Sequence, residues 1–541
     1  MLSEESPAEY HSDAFAILGY NRGLYYYLPK GTGQVIELRA DQHVSGRLIE
    51  MASRQWWEQH YPGKGGPEWL MAQNSLIRLS QMVGIYKPNR VRGRGAWWDD
   101  EGHAVIHLGD KLIVKGKERE LAESTRYIYE KAEPIRINYK NPLTAIEAKK
   151  FSDICDMLSW EHKISSRYLS GWCAIAPICG ALKWRPHIWV TGGAGSGKST
   201  IVEQIITPIV GDIGMPALSS TTEAGLRQDM NSDARPIIFD EIDGSGPRAQ
   251  DRIQNVLELS RAAASDTKAK IIKGSVTGKA MKFEIRSCFA FSSIGVFATS
   301  RPDETRITVL GLKLGMDRSK FEKLIDAISN LMTEEYIQRF NARSVMMIPV
   351  MRSNSYIFAK AGAAVLGTQR AGDQMGALLG GAWTLHSDKA VTMGQATAWI
   401  EKEDWSESKV NAGDNDEAKC LAYLMQSVVR SNSSGGPRDF SIAELAEIAS
   451  GRKASTDNEV AGAISTLGTY GFRADPDHLV VSSSHSAVAK ILERTEWGKN
   501  WRLTLGRLPG AKPTHGTVRF GATKTRGTEI QYDKPDDHGD L

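Results

Sequence analysis

The sequence predicts an α/β fold with a nucleotide-binding core, and two features carry that expectation. An apolar strand, His187 to Thr191, runs directly into Gly192-Gly193-Ala194-Gly195-Ser196-Gly197-Lys198-Ser199, a full match to the GxxxxGK[ST] loop, with helix-compatible Thr200 to Ile206 behind it. A later apolar strand, Pro236 to Phe239, ends in the acidic pair Asp240-Glu241. An apolar run ending in two acids says little alone; about forty residues after such a loop it says a great deal.

Composition sets the frame. At 541 residues the chain is too long for one core and implies about three domains of roughly 100 to 200 residues each. Hydrophobic residues at 41% and charged residues at 24% are ordinary for a globular protein. No apolar run approaches the ~20 residues that cross a bilayer, so no membrane partner is expected. The opening MLSEESPAEYHSD lacks the basic start and apolar middle of a signal peptide, which points to a cytoplasmic location. Five scattered cysteines without CxxC spacing argue for reduced, buried thiols rather than a zinc ribbon or a disulfide framework. A net charge of +3 permits nucleic acid as a partner without demanding it, so any DNA contact must come from local patches.

Residues 1–145 read as a mixed α/β domain. Residues 14–39 and 96–115 alternate apolar and polar, while 44–59 and 67–84 carry helical spacing. Arg90 to Gly95 between them is either an exposed loop or a phosphate-contacting one. A helical stretch from Ala145 to Leu182 leads into the core, assigned to 146–330. There the glycines let successive backbone N–H groups turn inward on phosphates at a helix N-terminus, where partial positive charge already favours an anion. Gly193, Ala194, Gly195, Ser196, Gly197, Lys198, Ser199 and Thr200 are the expected ATP contacts, with Lys198 reaching the β- and γ-phosphates and the Ser199 hydroxyl on Mg2+. Asp240 is expected to hold the metal shell and Glu241 to orient and deprotonate the attacking water. A third strand, Cys288 to Ser292, offers Ser292 or Ser293 as a hydroxyl for the γ-phosphate or water. Beyond it, Arg301 and Arg306 are candidates for a guanidinium that reaches a neighbouring subunit's nucleotide, Arg306 being preferred.

Strand, loop, acidic pair, basic hairpin, third strand and arginine together resemble the superfamily 3 and poxvirus-type primase-helicases of phages and plasmids, over residues 150–330 best. The resemblance implies an AAA+ core and a homo-oligomeric ring of six subunits. It also implies single-stranded and fork DNA as substrates, and a hairpin whose basic tip lines the ring channel. Asparagine or threonine is usual at the sensor position, so serine is a departure. The hairpin's counterpart is Ile271 to Lys282, where Lys270, Lys273, Lys279 and Lys282 surround two glycines without an aromatic at the tip. That composition fits a sequence-independent grip on phosphates rather than base stacking. Relatives often carry a primase-polymerase on the same chain. No convincing paired-aspartate strand or zinc knuckle is present here, so a separate primase partner and a longer fusion both stay open.

Residues 331–415 read as helical, with a glycine- and alanine-rich patch at Ala361 to Gly381 that has no functional assignment. Residues 416–530 follow a winged-helix pattern: helix, Ser-Gly-Gly-Pro loop, helical Phe440 to Gly451 and Glu459 to Tyr470, then a strand at Leu479 to Ser482. Such a domain sits on duplex DNA or joins subunits, and the scarcity of lysine and arginine in Glu459 to Tyr470 argues against deep groove reading. The tryptophans of Thr495 to Leu508 read as core, and 531–541 as a disordered tail. Two other functional classes remain: an ATP-dependent oligomeric switch or defence ATPase, and an ATP-regulated DNA-binding regulator.

Overall fold

A computed structural model describes residues 10–121, 126–242, 246–265, 271–274, 280–283, 285–297, 303, 305–403, 405, 416–433, 436–493, 495 and 497–531. The chain divides into two compact units, Met1–Glu403 and Asp404–Leu541.

The first unit begins with a four-stranded antiparallel sheet, Tyr10–His11, Phe15–Asn21, Leu24–Pro29 and Ile36–Leu38. Alternation puts Phe15, Ile17, Tyr27 and Leu38 on one face, where they meet Trp57 and Leu76 from the helices Arg54–His60 and Trp69–Val83. A second antiparallel sheet follows, Gly95–Trp98, Ala104–His107, Leu112–Val114 and Lys117–Arg119.

Between the sheets, the Arg90 to Gly95 segment departs at its carboxyl end from the exposed loop that its composition suggests. Gly93 to Gly95 are not a solvated loop, because they are bonded to the residues that lead into the acidic strand. Arg94 makes an ion pair of 2.7 Å with Asp233, at 17% and 10% side-chain exposure. The Gly93 N–H donates to Ser232 O, and the Ala234 N–H donates to Arg94 O. A Cβ at Gly93 or Gly95 would strike Asp233 or Ala234, so only glycine allows this approach.

The core is a five-stranded parallel sheet. Its strands are His187–Gly192, Met215–Leu218, Ile237–Asp240, Phe289–Ser293 and Ile307–Leu312. Counted along the chain, they lie in the spatial order 2-3-4-1-5. Buried on both faces, the three inner strands read as near-continuous apolar runs. The helices Glu223–Met230 and Pro247–Ala263 cover one face, packing Leu226, Val256 and Leu257 on Trp189, Phe239 and Phe291. Thr200–Ile206, the helix that follows the glycine loop, is wound as a π-helix.

The helical stretch expected from Ala145 to Leu182 comprises two helices, Ala145–Asp156 and Ile164–Ile175, and a 3-10 segment, Ala176–Ala181. The glycine- and alanine-rich patch is explained by packing. Ile348–Leu366 lies so close to Gln369–Thr384 that a Cβ at Gly376 would sit 2.7 Å from Ser355 O, and one at Gly380 2.8 Å from Ser355 N.

The second unit holds the helices Asp416–Gln426, Ile442–Ala449 and Asp457–Tyr470, then the strands Phe472–Ala474 and His478–Ser482. The latter strand pairs with Gly527–Gln531. Trp497 and Trp501 are core residues, their indole N–H groups donating to Asp416 and Ser482 O. The tail from 532 lies outside the described residues. No helix of the described residues is long and apolar enough to cross a membrane.

Because backbone rather than a flexible side chain meets the missing Cβ, Gly376→Val should cost about 1–3 kcal/mol of stability. The measurement is the thermal unfolding midpoint, which should fall well below that of an exposed control, Gly394→Val, where a Cβ has open space.

Candidate active site

Parallel register sets the site. Val190 and Thr191, the last strand residues before the glycine loop, pair with Ser292 and Ser293. Phe239 pairs with Phe291, which puts Asp240 level with Ser292. The glycine loop, the acidic pair and the two serines therefore all emerge at the carboxyl edge of the sheet, where ligands of open α/β sheets bind.

The loop is shaped for an anion. Gly195 and Gly197 have φ of +77° and +95°, a conformation that an L side chain rarely adopts. The Lys198 ammonium folds back over the loop, donating to Gly192 O at 2.8 Å and Gly193 O at 3.0 Å. Ser199 and Ala194 are exposed, and Gly193, Lys198 and Thr200 half-buried. Ser196 Oγ is buried and, among the described residues, has no hydrogen-bond partner.

The acidic strand ends in strain. Glu241 has φ of +47°, left-handed for a residue with a full side chain, at a cost of about 1–3 kcal/mol. That turn sends the Ile242 N–H to Ser292 O at 2.8 Å, which ties the acidic pair to the neighbouring strand. Asp240 Oδ1 is buried without a partner among the described residues. Burial pushes the Asp240 carboxyl above its ordinary range, and the negative charges of Glu241 and Glu203 add to that, against a backbone hydrogen bond that lowers it. A carboxylate held among acids, with one oxygen unsatisfied, fits a bound divalent cation.

Glu203 is a neighbour that sequence reasoning missed. Its position four residues after Ser199, one turn along the helix, was the available signal.

The two serines are not equivalent. Ser293 Oγ accepts a hydrogen bond of 2.8 Å from the buried Trp189 indole and donates to Gly295 O. Its hydroxyl is committed to the protein. Nearby, the Thr191 hydroxyl donates to Ile294 O at 2.8 Å, fixing the loop's root to the same segment.

Arg306 stands elsewhere. It precedes Ile307, which pairs with His187 at the start of the first strand, whereas Gly192 pairs with Leu312. Six residues at ~3.3 Å each place it about 20 Å from the loop along the strands. Burial, then the like charges of Arg370 and Arg261, disfavours its charged form, with Asp303 opposing them. Arg301 lies outside the described residues.

The expected basic hairpin forms as an antiparallel pair, Ile271–Gly274 with Ala280–Phe283, in which Lys273 is opposite Met281 and Lys282 opposite Ile272. Lys270 and Lys279 lie outside the described residues. The site therefore assembles the loop, Asp240, Glu241 and Ser292 at one edge and leaves Arg306 at the other.

No protein-family model and no curated protein matches the sequence. Among solved structures, the chain is similar to one titled "SCCmec type IV Cch - active helicase", with a TM-score of 0.52 and 12% identity over 93% of this chain and 90% of that one. At that identity the likeness is one of fold. A second, the apo "NrS-1 C terminal region", covers 79% of this chain and 97% of that one at 12% identity, but its TM-score of 0.29 is too low to compare folds.

The raised Asp240 carboxyl gives a signed prediction. A folded-state value above the unfolded one means that the ionised group destabilises the fold, so this contribution worsens as pH rises from about 4 through the folded-state value. Asp240→Asn should therefore raise the unfolding midpoint at pH 7 without divalent cation and abolish the added stability that magnesium gives the unsubstituted chain. A midpoint that falls in the variant would show that the carboxylate is satisfied within the protein.

Proposed function

We propose that the chain is an ATP-dependent DNA helicase of the AAA+ type, a homo-oligomeric ring that hydrolyses ATP between subunits and grips one DNA strand. The observation that carries this reading is the common edge shared by the glycine loop, Asp240-Glu241 and Ser292 in a sheet of order 2-3-4-1-5. That order puts the serine-bearing strand between the loop strand and the acidic strand, as an AAA+ core requires. The fold likeness to a structure titled as a helicase supports the choice among ATPases.

In this reading the backbone N–H groups from Gly193 to Thr200 hold the phosphates, and Lys198 leaves the carbonyls of Gly192 and Gly193 to meet them. Ser199 and Asp240 hold magnesium, which when bound neutralises charge building on the terminal phosphates. Glu241 orients the attacking water and takes its proton, its strained backbone fixing the carboxylate relative to Asp240. Ser292 is the better sensor of the pair, since the Ser293 hydroxyl is spent on Trp189 and Gly295. Arg306 serves the neighbouring subunit's nucleotide, because within one chain it is at the wrong end of the sheet. Lys270, Lys273, Lys279 and Lys282, within and beside the sequence of the Ile271–Gly274 and Ala280–Phe283 hairpin, would bind phosphates without reading sequence.

Steady-state ATP hydrolysis with and without single-stranded DNA tests the motor. Hydrolysis should rise with DNA, and Glu241→Gln should reduce turnover about 100-fold or more while ATP binding persists. Lys273→Ala with Lys279→Ala should remove the stimulation and leave DNA-free turnover unchanged. Hydrolysis indifferent to DNA in the unsubstituted chain would sink the motor in favour of an oligomeric switch. Arg306→Ala chains mixed with Glu241→Gln chains should recover part of the activity that neither has alone, since each supplies what the other lacks.

A further inference from the structure

The second unit has the secondary structure of a winged helix but the wrong charge for one. Its third helix, Asp457–Tyr470, opens with Asp457 and Glu459 and contains no lysine or arginine. The turn between Phe472–Ala474 and His478–Ser482, where a wing would touch DNA, carries Asp475 and Asp477. From 457 to 477 there are thus four acids against one arginine, Arg473, which hydrogen-bonds Asp475. A polyanion is repelled from both parts that such a domain ordinarily uses.

The positive charge lies further along. Between Trp497 and Thr528 the chain has no aspartate or glutamate and seven cations, Lys499, Arg502, Arg507, Lys512, Arg519, Lys524 and Arg526, all exposed. Among the described residues, none of the seven is in an ion pair. Lys512 is partly balanced, being opposite Glu529 in the sheet. The others are not.

The sharpest feature is a small hairpin, Val518–Phe520 with Thr523–Thr525. Its register sets Arg519 directly opposite Lys524, and like charges facing each other across two strands destabilise them. The hairpin is nevertheless held firmly. Phe520 is buried beneath it, and the Thr525 hydroxyl bonds that of Ser484 at 2.8 Å. Its turn closes on the third helix, where a Cβ at Gly468 would lie 2.7 Å from Gly521 N. A rigid, anchored element that presents unbalanced cations at a stability cost is built for an anion.

We infer that Arg519, Lys524 and Arg526 form a phosphate-binding surface for duplex DNA, replacing the helix and wing that the acids exclude. The choice of duplex follows from the aromatics. Trp501 and Phe520 are buried and the half-buried Trp497 packs against the core, so among the described residues this surface presents no stacking platform for unpaired bases. Binding is through phosphates, independent of sequence and steep in salt. The inference rests on the motor reading only in taking DNA as the polyanion; it needs no ATP chemistry.

The test is fluorescence anisotropy of a labelled mixed-sequence duplex with the full chain, without nucleotide, across a salt series. Replacing Arg519, Lys524 and Arg526 together by alanine should weaken binding at least about tenfold and lower the slope of log affinity against log salt by about two to three. The thermal unfolding midpoint of that chain should not fall, which excludes misfolding of the second unit. The Arg519→Lys, Arg526→Lys chain should retain most of the affinity. A slope equal to that of the unsubstituted chain overturns the inference, as does a loss confined to vesicles containing phosphatidylserine. Lys198→Ala separates this from the motor: duplex binding in that chain should persist whether or not DNA-stimulated hydrolysis exists at all.

Discussion

The structure depends on one pairing, that of Phe289–Ser293 with a neighbour on each side. Parallel strands have no short connection and need coverage on both faces, so inserting one between the loop strand and the acidic strand is costly in chain length. In return, the same ladder aligns Val190, Ser292 and Asp240 in one row. The backbone bond from the Ile242 N–H to Ser292 O continues that row beyond the strand. The proposed phosphoryl transfer asks a protein chiefly for position and electrostatics, and hydrogen-bond register would supply the position.

Electrostatics works against the fold at the same place. Asp240 is half-buried beside two acids with an unsatisfied oxygen, and Glu241 is held in a left-handed turn. Both are strains that a well-packed edge can support because Trp189, Phe239 and Phe291 lie directly beneath it. Stability stored in that aromatic layer offsets destabilisation where the chemistry is to occur. The Trp189 indole contributes twice, filling the layer and fixing the Ser293 hydroxyl.

Some of this was legible in the sequence and some was not, for identifiable reasons. The glycine loop could be located because left-handed backbone at positions such as Gly195 and Gly197 admits almost no other residue, so the geometry is written in composition. The three strands around it were visible because burial on both faces makes them apolar throughout. Ser292 and Ser293 could not be told apart, since the difference is a partner, Trp189, that is 104 residues away in the chain. The role of Arg94 stayed open between solvent and phosphate for the same reason: Asp233, with which it pairs, is 139 residues distant. The glycines near Ala361 were conspicuous but mute, because a close helix contact is a property of two surfaces and only one appears in any stretch of sequence.

Gly93 and Gly95 mark a different kind of constraint. Ordinary surface connections tolerate insertion, drift in composition and exchange between relatives. The four bonds between Arg92 and Ala96 run where neither an added residue nor a single methyl group can be accommodated, with Asp233 and Ala234 on the other side. This segment is thereby held to a tolerance as narrow as that of the glycine loop. Any recombination that trades the amino-terminal third for a foreign one must bring its own matched residues ahead of the acidic strand.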